Sequence, residues 1–216
     1  MTKEEILSIL LNTKIVAIIR LAEAKPIYQL ATALNKGGVQ AIEVTIGTPN
    51  ALAEIQKLAI HEGILPGVGS VVDVATAKAA IEAGAEFIVT PTTKKEVIEM
   101  AHQYGKPILS GALTPTEILQ AYEWGADIIK LFPASIFGLP YFKAVKAPMP
   151  YIPIMPTGGV TVENAAEWIQ HGAVCLGVGS TLVNKDLIAK QDFEAITRVA
   201  KNMCKVIRLA LDNTSI

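Results

Sequence analysis

Cysteine is scarce in this chain of 216 residues: only Cys175 and Cys204 occur, so no disulfide framework is implied. Histidine is nearly as rare. His61, His102 and His171 each close a stretch of helical period, where a cation suits the helix dipole and caps carbonyls, so a structural role is expected. Nowhere do histidine, cysteine and carboxylates gather at metal-ligand spacing, and no Ser-His-Asp set is readable. Metal and cofactor are therefore not expected. Neither sign of charge dominates, with 19 basic and 20 acidic side chains, a net charge of −1 and a pI of about 6.3. Nucleic-acid partners, which need a basic surface, are excluded, and any bound anion must be small and locally held. The longest nearly apolar run, Ala173 to Val183, is too short to span a membrane. Acids occupy the first positions, Met1-Thr2-Lys3-Glu4-Glu5, where a secretory signal needs basic residues. A reducing cytoplasm is the expected compartment.

What is abundant is aliphatic sequence. Hydrophobic residues make up 51% and charged ones 18%, with a mean hydropathy of +0.40, which rules out a disordered chain. Eight short β-branched and aliphatic runs recur: Ile15 to Arg20, Ala41 to Ile46, Leu65 to Val71, Phe87 to Pro91, Pro107 to Ala112, Ile128 to Pro133, Ile152 to Thr157 and Ala173 to Gly179. Each is strand-length and each is followed by an amphipathic stretch. Most of those stretches end in a glycine suited to a left-handed helix cap: Gly37, Gly63, Gly84, Gly105, Gly125 and Gly172. Dividing 216 residues by eight leaves 27 per unit, enough for one strand, one helix and two loops. Strands apolar on both faces need cover on both, as parallel sheets flanked by helices provide. The expectation is a single α/β domain over 1–216, a (β/α)8 TIM barrel. An extra N-terminal helix is expected around Glu4 to Leu11 and one long final helix from about Ile188 to Leu211. An open doubly wound sheet is the alternative.

In such a barrel the active site forms at the C-terminal ends of the strands. Polar residues late in the runs are the candidates: Arg20, Glu43, Thr45, Ser70, Thr90, Ser110, Lys130, Thr157 and Ser180. Lys130 sits in Ile128-Ile129-Lys130-Leu131-Phe132-Pro133, an ammonium in an apolar strand. Burial can lower a lysine's pKa by roughly 3 to 5 units, leaving a free amine able to attack a carbonyl. A strand-end lysine whose head reaches solvent is the plainer alternative. Lys14 and Lys106 fall where strands begin, at the opposite face. Glu43 and Thr45 share one face of Ala41-Ile42-Glu43-Val44-Thr45. If that face is the lumen, Glu43 looks across at Lys130 as a proton shuttle; a buried ion pair without chemistry is the alternative. Two glycine-rich segments follow the last two strands, Thr157-Gly158-Gly159 and Gly177-Val178-Gly179-Ser180. Barrels commonly bind phosphate there, so Gly158, Gly159, Gly179 and Ser180 are the candidate anion site.

Taken together, Glu43-Val44-Thr45, Gly67-Val68-Gly69-Ser70-Val71, Thr90-Pro91, Lys130-Leu131-Phe132-Pro133-Ala134, Pro156-Thr157-Gly158-Gly159-Val160 and Gly179-Ser180 resemble the bacterial 2-keto-3-deoxy-6-phosphogluconate and 4-hydroxy-2-oxoglutarate aldolases. The resemblance implies a metal-independent class I aldolase that releases pyruvate from a 2-oxo acid, and a homotrimer. It makes Lys130 the Schiff-base lysine and Glu43 the acid-base group. Thr157 and Ser70 would surround the pyruvoyl end, Phe132 and Pro91 would line the pocket, and Gly158, Gly159 and Ser180 would hold phosphate. One departure stands out. The family frequently carries an arginine two residues after Thr45, where this chain has Gly47. Arg20, at the end of the first strand, can offer a guanidinium in its place. The branch acting on the galactonate epimer also tends to lack that arginine, and Phe137-Gly138 before Tyr141 is similar to it. A phosphate-binding isomerase or epimerase, and a non-catalytic sugar-phosphate sensor, remain as alternatives on the same fold.

Overall fold

The computed structural model describes residues 1–22 and 26–212. Eight strands carry the architecture: β1 (Ile15–Ile19), β2 (Ala41–Thr45), β3 (Leu65–Gly69), β4 (Phe87–Val89), β5 (Ile108–Ala112), β6 (Ile128–Leu131), β7 (Ile154–Pro156) and β8 (Leu176–Val178). All pair in parallel in the cyclic order β7-β6-β5-β4-β3-β2-β1-β8. A bridge between Thr157 and Gly177 joins the two ends, so the sheet closes into a barrel. Sequential neighbours all round the ring are the signature of (β/α)8 topology; an open doubly wound sheet reverses strand order part-way.

Helices follow the strands on the outside: α2 (Ile27–Lys36), α3 (Ala51–Ala59), α4 (Val74–Glu82), α5 (Lys95–Gln103), α6 (Pro115–Glu123), α7 (Ala134–Lys146) and α8 (Ala165–Gln170). Strand residues therefore alternate between two apolar layers. Ile15, Ala17, Ile42, Val44, Val68 and Ile129 face the helices. Val16, Ala41, Leu65, Phe87, Leu109, Ile128, Met155 and Cys175 fill the lower lumen. The preceding helix α1 (Lys3–Thr13) plugs that end with fully buried Ile6 and Leu10, and a reciprocal Thr2/Glu5 capping box starts it. Below the plug, Asp127 accepts from Lys3 Nζ at 2.6 Å, from His102 Nε2 at 3.0 Å and from the Ile108 amide at 2.9 Å. With its lower half packed, the barrel has room for chemistry only at the other end.

Two expectations need correction. The final helix is divided into α9 (Lys185–Ala189) and α10 (Phe193–Asp212). Gln191 takes a left-handed φ of 55°, and the Asp192 carboxylate accepts from the Ala195 amide, restarting the helix. At the end of α2, the left-handed residue is Gly38 rather than Gly37. Gly37 is needed for another reason: a Cβ there would lie 2.3 Å from that of Ala200 on α10.

Candidate active site

Lys130 and Glu43 both point into the upper lumen, from strands four places apart round the barrel. Lys130 is 3% exposed, and its Nζ lies 5.1 Å from the ring centre of Phe132. Glu43 is completely buried, and neither carboxylate oxygen has a hydrogen-bond partner among the described residues. It fits only because its neighbour on β3 is glycine. A Cβ on Gly69 would stand 1.7 Å from Glu43 Oε1. Burial without a partner raises the Glu43 pKa above the ordinary carboxylate value, while the charges of Lys130 and, less strongly, Arg20 pull it back.

The lumen opens into a cleft of about 1090 Å³ whose walls include Ile18, Arg20, Lys130, Phe132, Thr157, Gly158, Gly159, Gly179 and Ser180. Eight of the sequence-derived candidates thus meet in one place. Thr157 is 5% exposed, and its Oγ1 has no partner among the described residues; it lies over Gly177, where a side chain would collide with it. Gly158 and Gly159 have φ of 100° and 73°, which keeps the loop flat against Ser135 at the start of α7.

Arg20 follows β1, exposed, and donates to Ser70 Oγ at 3.3 Å. Ser70 itself holds φ 60° just beyond β3. At Gly47 a Cβ would meet nothing within 4 Å, so the place of the missing arginine is open space.

Other candidates are placed differently. Thr45, 1% exposed, shares a 3.0 Å hydrogen bond with Thr48 Oγ1 and does not line the cleft. Thr48 also accepts from the Leu21 amide at 3.4 Å, so this pair ties the loops after β1 and β2 together. Pro91 is half-buried, its carbonyl packed where Gly111 has no side chain, and it too lies outside the cleft wall. Ser110 and Thr90 serve neighbouring polar groups: Ser110 Oγ donates to Thr93 Oγ1, and Thr90 Oγ1 accepts from the Gly111 amide. Because Leu109 fills the lumen, period two turns Ser110 outward.

Asn184, Lys185 and Asp186 also line the cleft; they lie past the eighth aliphatic run and before the helix expected from about Ile188, in a stretch to which the sequence pattern assigned no role. Their signal was an Asn before an acid; Asn184 Oδ1 caps α9 by accepting from the Asp186 and Leu187 amides. Among the described residues no group of three or more histidine, cysteine or acidic side chains can hold a metal ion. Nor is any described helix long and apolar enough to cross a membrane.

Residues 6–199 match the family described as "Aldolase: KDPG and KHG aldolase". The chain belongs to this family. Among its relatives, a 2-dehydro-3-deoxy-phosphogluconate aldolase of Pseudomonas aeruginosa is 34% identical, covering 88% of this chain and 87% of the relative. A 2-dehydro-3-deoxy-6-phosphogalactonate aldolase of Escherichia coli K12 is 36% identical, covering 83% and 87%. A solved KDPG aldolase from Legionella pneumophila, described as holding pyruvate as a covalent carbinolamine intermediate, superposes with a TM-score of 0.84 at 26% identity, over 91% of this chain and 96% of that one. Aldolase membership makes the protein an enzyme of the lyase class.

Proposed function

We propose that this aldolase cleaves 2-keto-3-deoxy-6-phosphogluconate, or its galactonate epimer, to pyruvate and glyceraldehyde 3-phosphate through an imine on Lys130, with 4-hydroxy-2-oxoglutarate as a shorter substrate. The observation that carries this reading is a nearly buried lysine in the wall of an open cleft, within electrostatic reach of a completely buried carboxylate that has no hydrogen-bond partner among the described residues. The amine of Lys130 adds to the C2 carbonyl, and the carbinolamine loses water to give an iminium. Glu43, directly or through water, takes the C4 hydroxyl proton while the C3–C4 bond breaks. That electron pair flows into the iminium as an enamine and the aldehyde leaves. The proton then returns to C3, and water hydrolyses the pyruvate imine to free Lys130. A carboxyl whose pKa is raised by burial holds a proton more readily than an exposed one, which suits a group that must both accept and return a proton.

Phe132 and Thr157 support the pyruvoyl end, with Arg20 and Ser70 taking the substrate carboxylate. Gly158, Gly159, Gly179 and Ser180 receive the phosphate. Thr45 and Pro91 act behind these groups by holding loops. The galactonate reading is favoured by Gly47, which stands, with open space around it, where the other branch frequently carries an arginine. We further propose a homotrimer in the cytoplasm. Exposed Leu119, Tyr122 and Tyr151, the two tyrosine rings 5.5 Å apart, form an apolar patch that a second copy would cover, and unpaired thiols suit a reducing compartment. A retro-aldol assay that detects pyruvate tests the activity across both epimers, their unphosphorylated forms and 4-hydroxy-2-oxoglutarate. Turnover of a phosphorylated epimer supports the proposal; no pyruvate from any of them rejects it.

A further inference from the structure

The glycine loops leave a phosphate only partly compensated. Backbone amides and the Ser180 hydroxyl are neutral donors, whereas a sugar phosphate carries close to two negative charges at pH 7. The cleft wall holds three basic side chains, Arg20, Lys130 and Lys185, and one acidic one, Asp186. Lys130 is committed to the keto carbon, and Arg20 is held on the β3 side by Ser70. Lys185 is what remains beside the glycine loops. It is exposed and makes no salt bridge among the described residues. It is also tethered, because the Asn184 side chain fixes the first turn of α9 on which it stands.

We propose that Lys185 is the specificity-determining cation of the distal end, making the cleft select phosphorylated over unphosphorylated 2-oxo sugar acids. This rests on the aldolase reading above. Asp186, in the same wall, opposes it: a negative charge beside Lys185 weakens the attraction, so the two residues set the phosphate preference with opposite signs. An exposed lysine on a short helix with no buried residue contributes little to folding, so its removal leaves the barrel intact.

The test is a kinetic comparison of parent, Lys185→Met, Lys185→Arg and Asp186→Asn on 2-keto-3-deoxy-6-phosphogluconate and on 2-keto-3-deoxygluconate. Lys185→Met should raise KM for the phosphorylated acid about tenfold with kcat unchanged, and leave the unphosphorylated acid within twofold. Lys185→Arg should restore most of the loss, and Asp186→Asn should lower the same KM. An equal change on both substrates, or none, overturns the proposal. Inorganic phosphate titrated calorimetrically gives a readout independent of turnover: weaker binding to Lys185→Met supports the assignment, and unchanged binding contradicts it. If the parent cleaves neither acid yet phosphate binding still depends on Lys185, the aldolase reading fails and the anion site stands.

Discussion

Glu43 and Gly69 are fitted to each other: the Glu43 carboxylate occupies the volume that any side chain on Gly69 would need. A fully buried acid with no hydrogen-bond partner is costly, and β3 is shaped to admit it. Gly69→Ala should therefore displace Glu43, cutting kcat at least a hundredfold and destabilising the barrel by about 1–3 kcal/mol. Adding Glu43→Ala should recover most of the stability and none of the activity. Urea melts of the four variants in the cycle read the coupling directly.

The raised Glu43 pKa fixes a sign for stability against pH. Folding favours its protonated form, so the contribution is fully present below the unfolded pKa and is lost as pH rises through the folded one. Glu43→Gln removes that loss. Its melting temperature should exceed the parent's at pH 8 by more than at pH 5, while retro-aldol turnover falls by about two to four orders of magnitude. Equal shifts at both pH values would show that Glu43 does not titrate across this window.

In the proposed reaction Arg20 takes the substrate carboxylate, and Gly47 leaves open space for a second guanidinium. Arg20→Met should lower kcat/KM for 2-oxo acids about ten- to hundredfold. Introducing Gly47→Arg into that variant should recover part of it, because a Cβ there meets nothing within 4 Å. Steady-state kinetics of the single and double variants decide it.

At the opposite end, Asp127 gathers Lys3, His102 and the Ile108 amide beneath the α1 plug. Asp127→Ala leaves the Ile108 amide without its acceptor and Lys3 and His102 with only each other, and should cost about 2–4 kcal/mol, with KM unchanged. Chemical denaturation together with kinetics separates this structural role from a catalytic one.

The barrel was legible because its repeat is written in strand-length aliphatic runs, and all eight strands lie within those runs. Lys130, Glu43 and the glycine loops were legible because charged or hydrogen-bonding groups late in apolar strands have one destination in this fold. What failed to show was local. The break at Gln191 comes from Asp192 capping a helix whose aliphatic period continues across the gap. Thr45 reads as a site residue until Thr48, three positions on, takes up its hydroxyl. Lys185 was hidden because it lies between the eighth run and the helix expected from about Ile188, and an exposed lysine in a connection gives no sign of lining a cleft. Pro91 reads as a lining residue by strand position alone, and its packing against Gly111 depends on a contact between neighbouring strands.

The proposed reaction depends on covalent chemistry at one nitrogen. Incubating the protein with pyruvate and sodium borohydride, then mapping peptides by mass spectrometry, should find one reduced three-carbon adduct, on Lys130, absent from Lys130→Met. An adduct at another lysine, or none while turnover persists, would contradict the account.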